Sequence, residues 1–283
     1  MKVFALKIFL FLFLFIVSTS FLFRFYSPLI PGPLQHVYLS IVKSTVKKKV
    51  KKLILGDSCG EQLYNNKEHN GSVYSLACNQ AITLAGNYIL LNNFIRANLD
   101  QLPGEVILIM DINSFLNNLD QPYTYNYFLK PFYVPENLKY FTSKTLKILQ
   151  TIPFHQISQW PLIKTSVWCP EFIPMAVNNK IPCFSDLSGE YLFRMNRLCE
   201  RYGIKFRIFP SIMSDSRRQS FQTFLRSVRT GWVSIPGLFE NYQTVGAFMP
   251  DSCFSDAVHL KKAYILSDYY HFYPEQDNLQ KAL

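Results

Sequence analysis

The stretch that decides how this chain is interpreted is KKLILGDSCG, residues 51 to 60. Three apolar residues, Leu53 to Leu55, follow a basic flank and lead into Gly56, Asp57 and Ser58. An apolar run that ends in glycine and aspartate is typical of a short buried strand followed by a sharp turn. Such a turn can expose a serine hydroxyl at a sheet edge, so Ser58 is a candidate nucleophile if the chain also supplies a base and oxyanion donors.

From Lys51 onward, strand-like apolar runs alternate with helical segments. This alternation predicts an α/β fold, a three-layer α/β/α arrangement around a mostly parallel central sheet. The predicted strands are Leu53–Leu55, Val73–Leu76, Val106–Met110 and Lys205–Phe209. The predicted helices are Ala81–Ala97, Lys144–Gln150, Gly189–Tyr202, Ser216–Val228 and His259–Ser267.

Three parts of the chain are expected from composition. Residues 1–27 contain the uninterrupted apolar run Ile8 to Val17 and predict a transmembrane anchor, with a cleaved signal peptide as the alternative. Residues 28–50 predict a basic amphipathic linker, which either lies on a membrane surface or packs on the domain. Residues 51–283 predict one α/β domain with an aromatic-rich insertion around residues 120–141, a lid over a binding cleft or a packed loop.

Charge and cysteine content exclude several classes of function. The net charge is +10, but six of the 29 Lys and Arg residues lie between Lys43 and Lys52, and no nucleic-acid-binding motif accompanies them, so we expect no nucleic-acid partner. The six cysteines are too scattered for a CxxC metal site, and no metal or organic cofactor is expected. Cys59 adjoins Ser58, which leaves open a thiol nucleophile or a nearby disulfide.

The base for Ser58 must come from five histidines. His36 precedes the domain, His69 lies in a polar turn, and His155 has no carboxylate nearby in sequence. Two histidines follow an aspartate by three residues, in the pairs Asp256 with His259 and Asp268 with His271. We favour the first pair because it lies on a loop before the predicted last helix, where catalytic groups are common, although Asp256 could instead be a helix N-cap.

The two ends of the domain resemble a known family. Gly56-Asp57-Ser58-Cys59 after the first strand and Asp256-Ala257-Val258-His259-Leu260 near the end are similar to the first and last blocks of the SGNH (GDSL-like) hydrolase superfamily. The resemblance implies a flavodoxin-like α/β fold in which Ser58 is the nucleophile, His259 the general base and Asp256 the carboxylate that orients the imidazole.

The middle blocks of the family are matched less closely. The family places a glycine after the second strand and an asparagine after the third, and both contribute to the oxyanion hole with the serine N–H. Here Asn79 stands in for the glycine, and Asn113 matches the side-chain donor. Asn117 and Asn118 lie close enough to compete with Asn113, and all three asparagines could be turn residues.

These features predict a membrane-anchored, extracytoplasmic serine esterase or O-acyltransferase. The resemblance implies acyl esters of cell-surface polysaccharide, including O-acetyl groups, as the substrate class. The alternative is a non-catalytic protein of the same fold that binds glycan or organises a membrane assembly. The imperfect middle blocks are the reason for keeping that alternative.

Overall fold

A computed structural model describes residues 2–25, 34–64, 72–170, 184–228 and 248–265. The chain divides into two units by its internal contacts. We call the first the insertion unit, which is Met1–Leu39 with Leu119–Met175, and the second the sheet unit, which is Ser40–Asn118 with Ala176–Leu283.

The sheet unit is built on four parallel strands in the order β2-β1-β3-β4. They are β1 (Lys52–Gly56), β2 (Val73–Ser75), β3 (Glu105–Met110) and β4 (Lys205–Pro210), with a separate parallel pair β5 (Met213–Ser214) and β6 (Phe248–Met249). All residues of β3 are buried, which is why this strand reads as one continuous apolar run. The predicted α/β class with a mostly parallel central sheet is confirmed, as are the four predicted strands.

Two α-helices of the described residues precede the first strand, and the others lie in the connections between strands. They are α1 (Lys2–Phe25), α2 (Leu34–Ser44), α3 (Ser58–Leu63), α4 (Thr83–Ala97), α5 (Lys130–Phe132), α6 (Ser143–Thr151), α7 (Pro161–Thr165), α8 (Asp186–Arg201) and α9 (Arg218–Ser227). Helix α4 contacts β1, and α8 contacts both α4 and β4. The strand order is that of flavodoxin-like sheets, in which ligands bind where neighbouring connections leave in opposite directions, at the carboxyl ends of β1 and β3.

The prediction of a last helix at His259–Ser267 is wrong for residues 259–265, the part that the structure describes. Phe254 and Leu260 instead form an antiparallel bridge, and one 3₁₀ turn follows at Lys262–Tyr264. The N–H of Ser255 donates to the carbonyl of His259 at 2.8 Å, so that carbonyl is used in a hairpin rather than a helix. Leu260 is apolar because it enters the core of the sheet unit.

The aromatic segment of residues 120–141 lies in the insertion unit. A π-helical turn at Tyr125–Leu129 runs into α5, and a 3₁₀ helix follows at Pro135–Tyr140. Five of its aromatic side chains are buried: Tyr125, Phe128, Phe132, Tyr140 and Phe141. These rings therefore act mainly as packing, which is the commoner role of aromatic residues in an irregular segment.

Helix α1 is long and apolar enough to cross a membrane, and its length and composition fit a signal sequence equally well. Its 24 residues correspond to about 36 Å of helix, against a hydrocarbon core of about 30 Å. The hydroxyl of Thr19 donates to the carbonyl of Phe15 at 2.7 Å, so this polar group has a partner within the helix. Its polarity therefore does not interrupt the apolar segment.

The basic linker is described from residue 34 onward. Two residues of its lysine run contact the sheet unit. Lys47 forms a salt bridge with Asp100 at 2.6 Å, and the N–H of Lys48 donates a hydrogen bond to the Asn98 side chain at 2.6 Å. Val50 is buried, whereas Val46 is exposed. These contacts favour packing on the domain for residues 46–50.

Candidate active site

The side chains of Ser58, His259 and Asp256 form one hydrogen-bonded chain. Ser58 Oγ lies 2.8 Å from His259 Nε2, and His259 Nδ1 lies 2.8 Å from Asp256 Oδ2. A carboxylate can only accept, so Nδ1 of a neutral imidazole carries the proton and Nε2 is left to accept the serine O–H. The sequence prediction placed these three residues together, and the structure brings them within hydrogen-bond distance across 201 positions of chain.

Ser58 is held at the carboxyl end of β1 by a turn that requires glycine. Gly56 has φ +150°, and a Cβ on it would lie 2.0 Å from the carbonyl oxygen of Ile109 on the neighbouring strand β3. The side chain of Asn87 on α4 accepts the Gly56 N–H at 3.0 Å. A larger residue at position 56 would separate the two strands, so this glycine fixes where the following Ser58 begins α3.

Asp57 caps the helix that Ser58 begins. Its Oδ1 accepts the N–H groups of Cys59 and Gly60 at 2.9 and 3.3 Å. Its Oδ2 accepts the N–H of Asp111 at 2.7 Å and the hydroxyl of Ser114. Burial first, and then the charge of Asp111, raise the pKa of Asp57 against these hydrogen bonds. This one carboxylate therefore joins the ends of β1 and β3 beneath the nucleophile.

Arg217 is a site-supporting residue that the sequence did not reveal. Its guanidinium binds both carboxylate oxygens of Asp111, one of them at 2.9 Å, and both side chains are largely buried. The pair is separated by 106 positions, and no local spacing links them. A bidentate contact of this kind fixes the orientation of the carboxylate as well as compensating its charge.

His259 is carried on a short hairpin that is tied to the core. The N–H of Lys261 donates to the carbonyl of Cys253 at 2.8 Å, next to the bridge between Phe254 and Leu260. Cys253, Phe254 and Leu260 all belong to the same buried cluster as Ile109 of β3. The hairpin is therefore anchored at its base, and Asp256 and His259 stand on its outer part.

Two side chains of α3 bind this hairpin directly. Gln62 Nε2 donates to the carbonyl of Leu260 at 2.8 Å, and Gln62 Oε1 accepts the Leu260 N–H at 3.0 Å. The Cys59 thiol donates to the carbonyl of Val258 at 3.6 Å. These contacts hold the residues on either side of His259 to the helix that begins with Ser58.

Asp256 serves two purposes at once. Its Oδ1 accepts the N–H groups of Val258 and His259, both at 2.8 Å, while Oδ2 faces the imidazole. Burial is the largest single influence on the pKa of Asp256 and raises it, but the hydrogen bond from the Val258 N–H and the contacts of His259 together outweigh burial and lower the pKa overall. The N-cap alternative is wrong because the described residues directly after Asp256 form no helix, and the carboxylate instead closes the turn of the hairpin while it orients the imidazole.

The surroundings of Cys59 are those of a structural thiol. Its side chain is buried, and burial together with the charges of Asp57 and Asp111 raises its pKa well above the usual range. A thiol that resists ionisation is a poor nucleophile. Cys59 and Cys78 are both free thiols in the described part of the chain.

The predicted oxyanion donors follow strands that flank Ser58. The N–H of Cys78, next to Asn79, donates to the carbonyl of Gly56 at 3.5 Å, so this segment lies alongside the end of β1. The Asn79 side chain accepts the N–H of Ala81 at 2.8 Å, and Asn113 is exposed after β3. Their role toward an oxyanion stays a prediction.

The competing asparagines have structural partners. Asn117 is buried, and its side chain donates to the carbonyl of Gln80 at 3.4 Å. The side chain of Asn118 accepts the N–H of Leu187 at 3.4 Å. These contacts favour Asn113 over both neighbours as the side chain available for substrate.

The other histidines do not compete within the described residues. His155 lies in the insertion unit, where its Nδ1 is 3.1 Å from the carbonyl of Ile152. His36 is exposed at the start of α2. His69 and the alternative pair Asp268 and His271 lie outside the described residues.

In the described part of the chain, no group of three or more His, Cys, Asp or Glu side chains is placed to hold a metal ion.

Comparisons of the chain with protein-family models, curated proteins and solved structures found no match. The geometry around Ser58 is therefore the basis for assigning a function.

Proposed function

We propose that this chain is a membrane-anchored, SGNH-like serine esterase or O-acyltransferase that acts outside the cytoplasm on acyl esters of cell-surface polysaccharide, including O-acetyl groups. The observation that carries the chemistry is the hydrogen-bonded chain of Ser58, His259 and Asp256. Its location at the carboxyl end of β1, next to β3, is where sheets of this strand order bind ligands.

The proposed reaction has two steps. Ser58 Oγ attacks the ester carbonyl while His259 Nε2 takes its proton, and the same imidazole then protonates the departing alcohol. His259 then takes a proton from water or a sugar hydroxyl, whose oxygen attacks the acyl-serine; the bond between Ser58 Oγ and the acyl group breaks, and the imidazole returns the proton to Oγ. Asp256 keeps the imidazole in the required tautomer and stabilises it when it becomes charged.

Negative charge on the former carbonyl oxygen needs donors that are already in place. The N–H of Ser58 is the first of α3 and therefore has no partner within the helix, and the capping side chain of Asp57 accepts from Cys59 and Gly60 instead. The proposed site combines this N–H with Asn79 and Asn113, the positions matched by the family resemblance. Donors of this kind are usually among the largest contributions to acyl-transfer catalysis.

The proposed substrate class and location have sources separate from the triad. The N-terminal apolar helix supports attachment to a membrane, and the surface-glycan substrate follows from the resemblance to anchored members of the SGNH group. Radiolabelled acetyl transferred to a saccharide rather than released as acetate would identify the chain as a transferase.

Hydrolysis of p-nitrophenyl acetate by the full chain in detergent tests the enzyme proposal. Ser58→Ala and His259→Ala are expected to lower kcat by about 10⁴-fold to 10⁶-fold, because each removes a group that acts in the transition state. Ser143→Ala and His155→Ala, in the insertion unit, are matched controls that should retain activity. Equal rates in all five proteins would contradict catalysis and favour the glycan-binding alternative. Loss in Cys59→Ala with retention in Ser58→Ala would instead indicate a thiol enzyme.

A further inference from the structure

The insertion unit displays several large apolar side chains to solvent: Phe154, Trp160, Leu162, Val167 and Trp168, which we call the aromatic face. Val167 is 77% exposed and Trp160 is 61% exposed. The rings of Phe154 and Trp168 lie 6.0 Å apart, and the other three residues lie in or beside α7. Exposed apolar groups gathered in this way mark contact with a partner or a membrane.

The local structure holds these side chains outward. Lys130 is buried, and its ammonium group donates to the carbonyls of Ser166 and Trp168 at 2.9 and 2.7 Å, on either side of Val167. Burial lowers the pKa of Lys130 to about 8. Phe154 has φ +57°, a left-handed conformation that is strained for an aromatic residue. A fixed backbone, rather than a loose loop, therefore presents the aromatic face.

The helix that carries part of the aromatic face packs against the apolar N-terminal helix. Within the insertion unit, α7 contacts α1, and the side chains of α1 from Val3 to Val17 are exposed. A retained α1 would have lipid around it, so an element packed against it must lie in or at the bilayer. Tryptophan is enriched at the level of lipid headgroups, because its ring is apolar and its N–H requires a polar partner.

The charge of the surrounding segment identifies the kind of lipid. Between residues 136 and 171 the chain contains four lysines and two glutamates, and the glutamates are the first and last residues of this range, so the segment is net basic. Lys139, Lys144 and Lys147 are exposed. Basic side chains near a bilayer surface are attracted to anionic lipid.

We infer that the aromatic face lies in the headgroup region of an anionic bilayer beside α1, with Trp160 and Trp168 at interface depth. The inference rests on α1 being retained in the membrane and is independent of catalysis. Its test therefore measures the position of the tryptophans in the lipid and not enzymatic activity. Failure of the esterase proposal would leave it unaffected.

Tryptophan fluorescence provides the test, because the chain has only three tryptophans, Trp160, Trp168 and Trp232. The full chain carrying Trp232→Phe is reconstituted in vesicles of phosphatidylcholine and phosphatidylglycerol whose acyl chains are brominated near the headgroup. Adding Trp160→Phe or Trp168→Phe then reports on one remaining tryptophan at a time. These replacements keep an aromatic ring and so preserve packing.

The control places a single tryptophan at exposed Phe193 of α8, in a chain whose three native tryptophans are phenylalanine. We expect bromine to reduce the emission of Trp160 and Trp168 by at least about three times the fraction lost by the control. Quenching should weaken in vesicles of phosphatidylcholine alone. A chain that floats with the vesicles while both native tryptophans remain unquenched would overturn the inference, as would equal quenching of the control.

Discussion

Gln62 pairs with the backbone of Leu260 through both ends of its amide, donating at 2.8 Å and accepting at 3.0 Å. Because α3 also begins with the candidate nucleophile, this pair fixes the distance between Ser58 and the hairpin that carries His259. A polar side chain that holds two parts of a site together affects the reaction rate by positioning the reacting groups rather than by contacting the substrate.

Gln62→Ala is therefore expected to lower kcat by about 10-fold to 100-fold with a smaller change in KM, since misplacement of a reacting group by about 1 Å costs rate of this size. Gln62→Glu retains the acceptor for the Leu260 N–H and should recover part of the loss. Gln222→Ala, exposed on α9, is the control. Unchanged kcat in Gln62→Ala would show that the hairpin holds its position without this contact.

Arg217 and Arg218 offer a matched pair for testing the buried network. Arg217 binds the buried carboxylate of Asp111, whereas Arg218 binds Asp215 at the surface, where the two side chains are 60% and 44% exposed. Arg217→Met leaves the Asp111 charge buried without its partner, which should cost about 3–5 kcal/mol. Arg218→Met should cost less than about 1 kcal/mol.

Denaturant unfolding of the full chain in detergent measures both changes. Combining Arg217→Met with Asp111→Asn should restore part of the lost stability, because a neutral amide leaves no unpaired buried charge. Identical unfolding midpoints for the Arg217 and Arg218 variants would contradict a special role for the buried pair.

The parts of the fold and site that sequence could predict are those with local signals. Strands β1 and β3 contain continuous apolar runs because they are buried. The pairing of Asp256 with His259 could be predicted because the two residues are three positions apart in the sequence. Gln62 and Leu260 are separated by 198 positions, and nothing in either local pattern indicates the contact.

The error at the carboxyl end of the site has the same origin. The spacing of apolar residues after His259 is typical of a helix face, but Leu260 is apolar because the hairpin inserts it into the core. The hydrogen bond from the N–H of Lys261 to the carbonyl of Cys253 closes that hairpin. The spacing of apolar residues along the sequence carries no information about this contact.

The oxyanion assignments predict different effects for the two asparagines. Asn113→Ala removes an exposed side-chain amide and should lower kcat by about 10²-fold to 10³-fold with little change in KM. Asn79→Ala retains the backbone N–H but removes the cap on Ala81, so it should lower stability by about 1 kcal/mol while sparing kcat.

Asn196→Ala on α8, whose side chain pairs with Glu200, is the control for general effects of losing an amide. The measurements are ester hydrolysis for kcat and KM and denaturant unfolding for stability. A full-rate Asn113→Ala enzyme would remove Asn113 from the oxyanion hole and leave Asn79 and the Ser58 N–H as its remaining candidates.

The lowered pKa of Asp256 predicts the shape of the pH profile. A folded-state pKa below the usual value of about 3.9 means that Asp256 stays ionised above that pH, and that its contribution to stability is lost only as pH falls through the lowered pKa. The free energy of unfolding should therefore fall as the pH is lowered toward the pKa of folded Asp256, and it should fall less steeply in Asp256→Asn, which has no carboxyl group to protonate. Denaturant unfolding of both proteins at a series of acidic pH values measures this, and identical falls would contradict it.

Asp256→Asn should lower kcat for ester hydrolysis by about 10²-fold to 10⁴-fold, less than Ser58→Ala, because solvent reaches the 54% exposed Asp256 side chain and compensates part of the loss. Unchanged kcat would contradict the role of Asp256 in orienting the imidazole.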